Sequence, residues 1–347
     1  MNAIVYEEYG APEVLQLRAV KTPEPADDEV RIRIEAVTVN MGDCEMRRPE
    51  IPNSIWFLVR LVFGWRKPRK RILGAYFAGT IDAVGSNVER LRVGDAVMAA
   101  SGARFGAYAE YVCLPQNYPI ALRPSNLTAA EASGVPLGGV NALHFFRKAR
   151  LQTGEHVLVN GAGGSFGTFA VQLAKHYGAL VTAVDHADKL EMIRSLGADH
   201  VIDYTGEDFT ENVASYDVIF NMVQKCPYSR ALRALKPGGR YLLTNPDGIG
   251  QMLRGVWTSW TSNKKVIIEM AKETTAELDQ LRELIEAGHL RSVIDRTFRL
   301  EQAVEAHRYV ESGRKHGNVV LTLDSPGSSE ASERVARSCL GQPRSRS

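Results

Sequence analysis

Cysteine is scarce in this chain: 347 residues hold four, Cys44, Cys113, Cys226 and Cys339, and none stands in C-x-x-C spacing. That scarcity excludes a disulfide framework and a clustered zinc lobe, and the four read as reduced thiols. A charge imbalance is missing too. Lys and Arg number 42 against 40 Asp and Glu, a formal net charge of +2 with no long basic stripe, which argues against nucleic acid as a partner. No basic, apolar, small-residue leader opens the chain, so the expected location is cytoplasmic. What remains is an ordinary soluble composition, 44% hydrophobic and 24% charged, in a chain long enough for two domains.

Three compositional regimes follow one another. Residues 1 to about 120 carry short β-rich runs, VRIRIEAVTV (30–39), GTIDAVG (79–85) and AYAEYVCL (107–114), punctuated by Pro and Gly. From Ser125 to Gly288, strand-like and helix-like segments alternate, among them HVLVN then TFAVQLAKHYG, LVTAVD then ADKLEMIRSLG, and YDVIFNMV then CPYSRALRALKPGG. Such alternation predicts βαβ units and a parallel sheet covered on both faces. Residues 291–324 return to a strand, the helical run LEQAVEAHRYVESG and a last strand NVVLTL, after which 325–347 lacks apolar periodicity and reads as a disordered tail.

The stretch VLVNGAGGSFGTFAVQLAK, Val157 to Lys175, joins a predicted strand to a predicted helix through bare backbone. In a dinucleotide-binding unit one glycine permits the turn, another admits the pyrophosphate to the backbone amides, and a third lets helix and strand pack closely. The G-x-G-x-x-G frame falls on Ala162, Gly164 and Gly167, with Gly161 and Gly163 as extras. A purely structural turn is the alternative. Context favours the nucleotide: an amphipathic helix with Val171, Leu173 and Ala174 inward follows, and a second strand ends in Asp185, 18 residues after Gly167. A carboxylate there accepts both ribose hydroxyls and repels a 2′-phosphate, so NADH is favoured over NADPH. His186 and Lys189 weigh against that preference, since together they can accommodate a phosphate, and Asp185 can also serve only to start the next helix.

The same stretches resemble the medium-chain dehydrogenase/reductase superfamily, in its zinc-free quinone oxidoreductase branch. AIVYEEYGAPEVLQL, VGSNVERLRVGDAV (84–97), FGAYAEYV (105–112), SLGADHVIDY (195–204) and LKPGGRYLL (235–243) carry the likeness in order, from Met1 to about Asp324. The resemblance implies an α/β protein: a GroES-like β-rich catalytic domain of residues 1–123 and 289–324, around a Rossmann domain of residues 124–288 with a doubly wound parallel sheet. It also implies NAD(P)H as cofactor, held with its nicotinamide in the cleft between domains, and homodimers paired through an edge strand. Where zinc-dependent members place cysteine, histidine and cysteine, local alignment gives Asn40, Ala75 and Leu137, none a fit ligand for catalytic zinc. No metal is therefore expected. Without a Lewis acid an alcohol is hard to ionise, whereas a quinone or α,β-unsaturated carbonyl compound needs only hydrogen-bond donors to receive hydride.

Carried over one position at a time, the resemblance implies Asn40 and Asp43, in VNMGDC, beside nicotinamide and substrate, with Asp43 more a hydrogen-bond acceptor than a proton donor. A tyrosine frequent two residues further on is Glu45 here, and Tyr76 and Tyr108 are the remaining phenols. For the cofactor it implies Asn141, the backbone of Gly161, Gly164, Ser165, Phe166 and Gly167, then Asp185, Lys189, Tyr204, Val223, Thr244, Asn245 and Asn318. The segment 55–71, IWFLVRLVFGWRKPRKR, is too short and too charged to span a bilayer. It reads as a hydrophobic lid over a bulky acceptor, or as a peripheral membrane contact. The function implied is zinc-independent reduction of quinones or enones. A zinc-free alcohol dehydrogenase, an enoyl reductase of a biosynthetic cluster, and a non-catalytic dinucleotide-binding or membrane-associated protein of the same fold remain as alternatives.

Overall fold

The structure is a computed structural model that describes residues 1–48, 56–224 and 226–323. Ile55 and the expected tail over 325–347 lie outside the described residues. Strands and helices alternate through the middle of the chain and build one six-stranded parallel sheet. Its spatial order is His200–Asp203, Leu180–Asp185, His156–Asn160, Tyr216–Asn221, Leu235–Leu243 and Lys265–Ile267. All neighbours in it run parallel. The direction of winding reverses between His156–Asn160 and Tyr216–Asn221, and at such a switch point a crevice opens beyond the carboxyl ends of the strands.

These strands form because runs such as HVLVN and LVTAVD are mostly aliphatic and β-branched with no alternation of apolar and polar residues, as burial from both faces demands. One face is covered by the helix Ser165–His176, whose Phe169, Val171, Leu173 and Ala174 are fully buried, in line with the inward face expected of it. The helix Val135–Ala149 lies against it. Their approach is so close at Gly138 that a Cβ there would meet Ser165 O at 2.3 Å.

The two chain ends meet in a second, seven-stranded sheet. Its order is Ile294–Arg299, Asn318–Thr322, Glu29–Val39, Tyr76–Val84, Ala96–Ala100 and Ile120–Leu122, with Tyr111–Pro115 paired to Glu29–Val39 off that path. The last strand runs antiparallel to Glu29–Val39, Val319 facing Val39, so the end of the chain closes on its beginning. This sheet has its own core, including Ile32, Phe77, Tyr108, Leu114 and Leu321, separate from the cores on the two faces of the parallel sheet.

Several elements depart from the sequence pattern for local reasons. CPYSRALRALKPGG is helical only over Tyr228–Ala234; the strand begins at Leu235, because Pro237 lacks an N–H and bars its predecessor from helical dihedrals. The run from Leu300 begins as a 3-10 turn before the helix Ala303–Glu311. A seven-residue helix, Met41–Arg47, follows Asn40 directly. Within 55–71, Trp56–Phe63 is helical, and Arg60 anchors it: the guanidinium lies 3.5 Å over the Tyr9 ring and bonds Arg48 O. Among the described residues no helix is long and apolar enough to cross a membrane.

Candidate functional site

At the switch point the strand His156–Asn160 runs into the glycine turn. Gly161 takes φ +90°, a conformation that L side chains rarely adopt, and its N–H donates to Val184 O. Gly167 does the packing: a Cβ there would lie 2.3 Å from Gly161 O and 2.5 Å from Ala162 Cα. The helix therefore starts directly beneath the turn, and the first-turn amides of Ser165, Phe166 and Gly167 have no partner within the helix. A cleft of about 680 Å³ opens beside this turn. Gly161, Gly164, Asp185, Lys189, Tyr204 and Val223 line it together, so six of the expected residues share one wall. Met41, Val310, Gly313 and Lys315 form the opposing side.

At the strand ends the polar groups are paired. Asn160 Nδ2 donates to Asn221 Oδ1 at 2.7 Å, and Asn221 Nδ2 donates to Val223 O at 2.9 Å. Asn245 Nδ2 donates to Met222 O at 3.2 Å and Thr244 Oγ1 to Asn221 O at 3.4 Å, which keeps this pair of residues at the same end of the sheet. Asp185 is 7% exposed and fully engaged. Its Oδ2 accepts from Gly163 N at 2.7 Å, its Oδ1 accepts from His186 N at 2.8 Å, and Lys189 Nζ stands 3.1 Å from Oδ1. Tyr204 is 60% exposed at the rim.

Two expected residues sit elsewhere. Asn318 is completely buried; its Nδ2 donates to Val293 O at 3.1 Å and its amide packs on Gly134, so it braces the join between chain segments and does not line the cleft. Asn141 turns its Nδ2 back to Leu137 O at 2.8 Å, within its own helix.

On the outer wall, Asn40 and Asp43 hold each other. Asn40 caps Met41–Arg47 by accepting from Asp43 N at 3.3 Å, while Asp43 Oδ2 accepts from Asn40 N at 3.1 Å and from Asn40 Nδ2 at 2.6 Å. Asp43 Oδ1 also accepts from Gly74 N at 3.1 Å. Burial outweighs these donors and pushes the Asp43 carboxyl up to about 7. Tyr108 meets His307 Nε2 at 3.1 Å in the core behind it, and burial pushes that imidazole down to about 3, with the Arg47 charge adding to the effect. Tyr76 Oη donates to Glu273 Oε1 at 2.7 Å. Glu45 is half-buried, and that burial raises its carboxyl. Neither phenol is free to the cleft wall. Among the described residues, no three His, Cys, Asp or Glu side chains are grouped as metal ligands.

Two features escaped the sequence reading. The Asn40-x-x-Asp43 spacing is itself a capping signal; Asp43 is the hydrogen-bond acceptor expected of it, but that its donor is Asn40, across a helix N-terminus, was not read from the sequence. Lys315 is the other: it lines the cleft from the far chain end, and only its place near the start of the last strand hinted at it.

Residues 26–124 match the family described as alcohol dehydrogenase GroES-like domain, and residues 196–321 that described as zinc-binding dehydrogenase. The chain is 32% identical over 337 residues to 2-methylene-furan-3-one reductase of Solanum lycopersicum, covering 92% of this chain and 79% of that one. It is also 32% identical over 338 residues to the chloroplastic NADPH-dependent alkenal/one oxidoreductase of Arabidopsis thaliana, with the same coverage, 92% and 79%. Among solved structures, the quinone oxidoreductase from Coxiella burnetii superposes with a TM-score of 0.83 at 27% identity, covering 93% of this chain and 99% of that one.

Proposed function

The chain belongs to the medium-chain dehydrogenase/reductase superfamily, in its quinone oxidoreductase-like branch, and from that premise we propose that it reduces quinones or α,β-unsaturated carbonyl compounds with a nicotinamide coenzyme. It is an oxidoreductase. One observation carries the reading: the strand, glycine turn and helix N-terminus at the switch point open onto a cleft whose far wall is the outer domain. The bound nicotinamide would supply the hydride.

The chain's own part is binding, orientation and exclusion of water. First-turn amides at Ser165, Phe166 and Gly167 suit the diphosphate, and Val223 and Tyr204 flank the adenosine end. Thr244, Asn245 and the Asn160–Asn221 pair lie at the strand ends, where the nicotinamide ring would rest. Asn40 and Asn141 do not line the cleft: the Asn40 amide is held by Asp43 and the Asn141 amide by Leu137 O. Residues 1–123 and 289–324 are assigned to the substrate side and 124–288 to the coenzyme. The donor set supports reduction without zinc: Asn40, Ala75 and Leu137 offer no thiolate or imidazole.

On coenzyme preference the expectation of NADH is revised. Asp185 is already occupied by Gly163, His186 and Lys189, and Lys189 brings a cation to the ribose end. We therefore propose that NADPH is accepted at least as well as NADH. Lys189→Met should weaken NADPH about 10-fold relative to NADH, as loss of one charge-assisted hydrogen bond would.

The helix Ile249–Thr261 turns Leu253, Val256, Trp257 and Trp260 outward while Gly255 and Ser259 face the edge strand Lys265–Ile267. That inversion supports homodimers across this edge. For 55–71 we favour the lid, since Arg60 ties the helix to the body of the protein while Leu61, Val62 and Trp65 stay exposed. The direct test is oxidation of NADH and NADPH with a panel of quinones, enones and alkenals after treatment with a chelator. Turnover supports the reading; coenzyme binding without turnover of any acceptor would leave a non-catalytic binding protein.

A further inference from the structure

Lys315 belongs to the outer part of the chain, yet its ammonium rests on the glycine loop. Nζ donates to Ser165 Oγ at 2.6 Å and to Gly317 O at 2.8 Å, and among the described residues no carboxylate pairs with it. The backbone beside it is pinned in the same direction. Gly317 N donates to Gly163 O at 2.7 Å, Ser165 Oγ reaches Gly317 O at 3.1 Å, and Gly164 and Gly317 form a parallel bridge. On its other side His316 N donates to Asp295 Oδ2 at 3.0 Å, which fixes the segment to the outer sheet.

This places a cation where a cation is least welcome. Ser165 opens the helix Ser165–His176, and a helix N-terminus carries partial positive charge from its unpaired amides. Lys189 is close by, and the carboxylate near both, Asp185, is already taken by Lys189. Burial, with the Lys189 charge adding to it, lowers the Lys315 ammonium to about 8; Asp295, Cys44 and Asp185 pull the other way without restoring it. Two lysines and a helix N-terminus meet here, and Asp185, the carboxylate beside the turn, is bonded to Lys189 and not to Lys315, so an anion at the turn would relieve the charge.

We propose that Lys315 clamps the diphosphate of the bound coenzyme, so that the outer domain is tied to the glycine loop through the ligand itself. The inference rests on the proposed nicotinamide reading of the cleft and deepens it: the loop supplies amides, and the opposite chain end supplies the charge. The diphosphate is chosen over a 2′-phosphate because, of the ammonium's present partners, Ser165 opens the helix at the glycine turn and Gly317 bridges Gly164 of that turn, whereas Asp185, Lys189 and Tyr204 mark the ribose end.

The test measures dissociation constants of NADH and NADPH by nicotinamide fluorescence for the wild type, Lys315→Met and Lys315→Arg. Loss of a charge-assisted hydrogen bond predicts weakening of about 10- to 100-fold for both coenzymes in Lys315→Met, with partial recovery in Lys315→Arg. An equal affinity in all three proteins overturns the clamp, and so does a loss confined to NADPH. Wild-type protein that binds neither coenzyme would instead sink the nicotinamide reading. Since Lys315→Met can unsettle the loop, a second readout uses the native chain: pyridoxal 5′-phosphate condenses with the amine, borohydride reduces the imine, and peptide mass locates the adduct. Labelling at Lys315 that ADP-ribose suppresses and adenosine does not supports the clamp; labelling indifferent to ADP-ribose contradicts it.

Discussion

The two walls of the cleft present different chemistry. On the parallel-sheet wall the turn from Gly161 and the amides opening Ser165–His176 present backbone to the cleft, and the side chains around them, Asp185, Lys189 and Tyr204 among them, stand at the ribose end. On the outer wall the polar side chains are turned toward one another, Asn40 with Asp43 and Tyr108 with His307, and what reaches the cleft is Met41, Val310 and one ammonium. Backbone donors are placed by local conformation, so a glycine pattern specifies them. Side-chain donors are placed by tertiary packing, and the outer wall spends most of its polar groups on holding its own shape.

The largest effect should come from closing the backbone wall. Gly167→Val puts a side chain into backbone 2.3 Å away and should cost about 3 kcal/mol or more of stability and abolish coenzyme binding, read by denaturant unfolding and fluorescence titration. Gly206→Ala, where nothing lies within 4 Å, should do neither. If the two variants behaved alike, the close-packed turn would have no special role.

Asp43→Ala breaks the outer wall instead. It leaves the amides of Asn40 and Gly74 without their carboxylate and removes half of a capping box, a loss of about 2–3 kcal/mol in thermal unfolding. Coenzyme affinity should change by less than about 3-fold, since Asp43 serves the outer wall and shares no partner with the glycine turn. A large loss of coenzyme affinity would show that the walls are not separable.

Acid should find the same wall. Between pH 6.5 and 3 an unfolded imidazole takes up a proton that buried His307 refuses, so its contribution to stability is present at neutral pH and is lost as the pH falls, by up to about 1.4 kcal/mol per pH unit. Asp43 has the opposite sign: from its ordinary value of 3.8 up to about 7 the folded protein keeps a proton that the unfolded chain releases, and stability falls as pH rises. His307→Gln should therefore flatten the acid limb of a urea-unfolding series below pH 6.5; an unchanged slope would remove His307 from the account. Smallest of all, Tyr204→Ala at the exposed rim should shift stability by no more than about 0.5 kcal/mol, with a coenzyme affinity lowered about 3- to 10-fold in the same fluorescence titration.

The same division explains how much of the molecule is legible in the chain itself. The strand, turn and helix at Val157–Lys175, and the parallel sheet around them, follow from period, glycine spacing and mostly aliphatic runs without alternation, all local properties. Asp185 stands at the strand end where the spacing puts it, but its occupation by Gly163 and Lys189 depends on groups brought together only by folding. Two residues separate Asn318, buried as a brace, from Lys315, which reaches the cleft; the last strand's pairing decides which of them points where. In Trp56–Phe63 the buried Arg60 is explained by the Tyr9 ring, 51 positions earlier in the chain. Ile249–Thr261 hides small residues and shows large ones, the reverse of the pattern that marks a surface helix.

The most direct test is a crystal structure of the protein with NADP⁺ bound after chelator treatment. The account predicts the diphosphate on the amides of Ser165, Phe166 and Gly167, within hydrogen-bond reach of Lys315, and the nicotinamide at the strand ends beside Asn245. A coenzyme bound away from that turn, or none bound at all in protein that is folded, would contradict it.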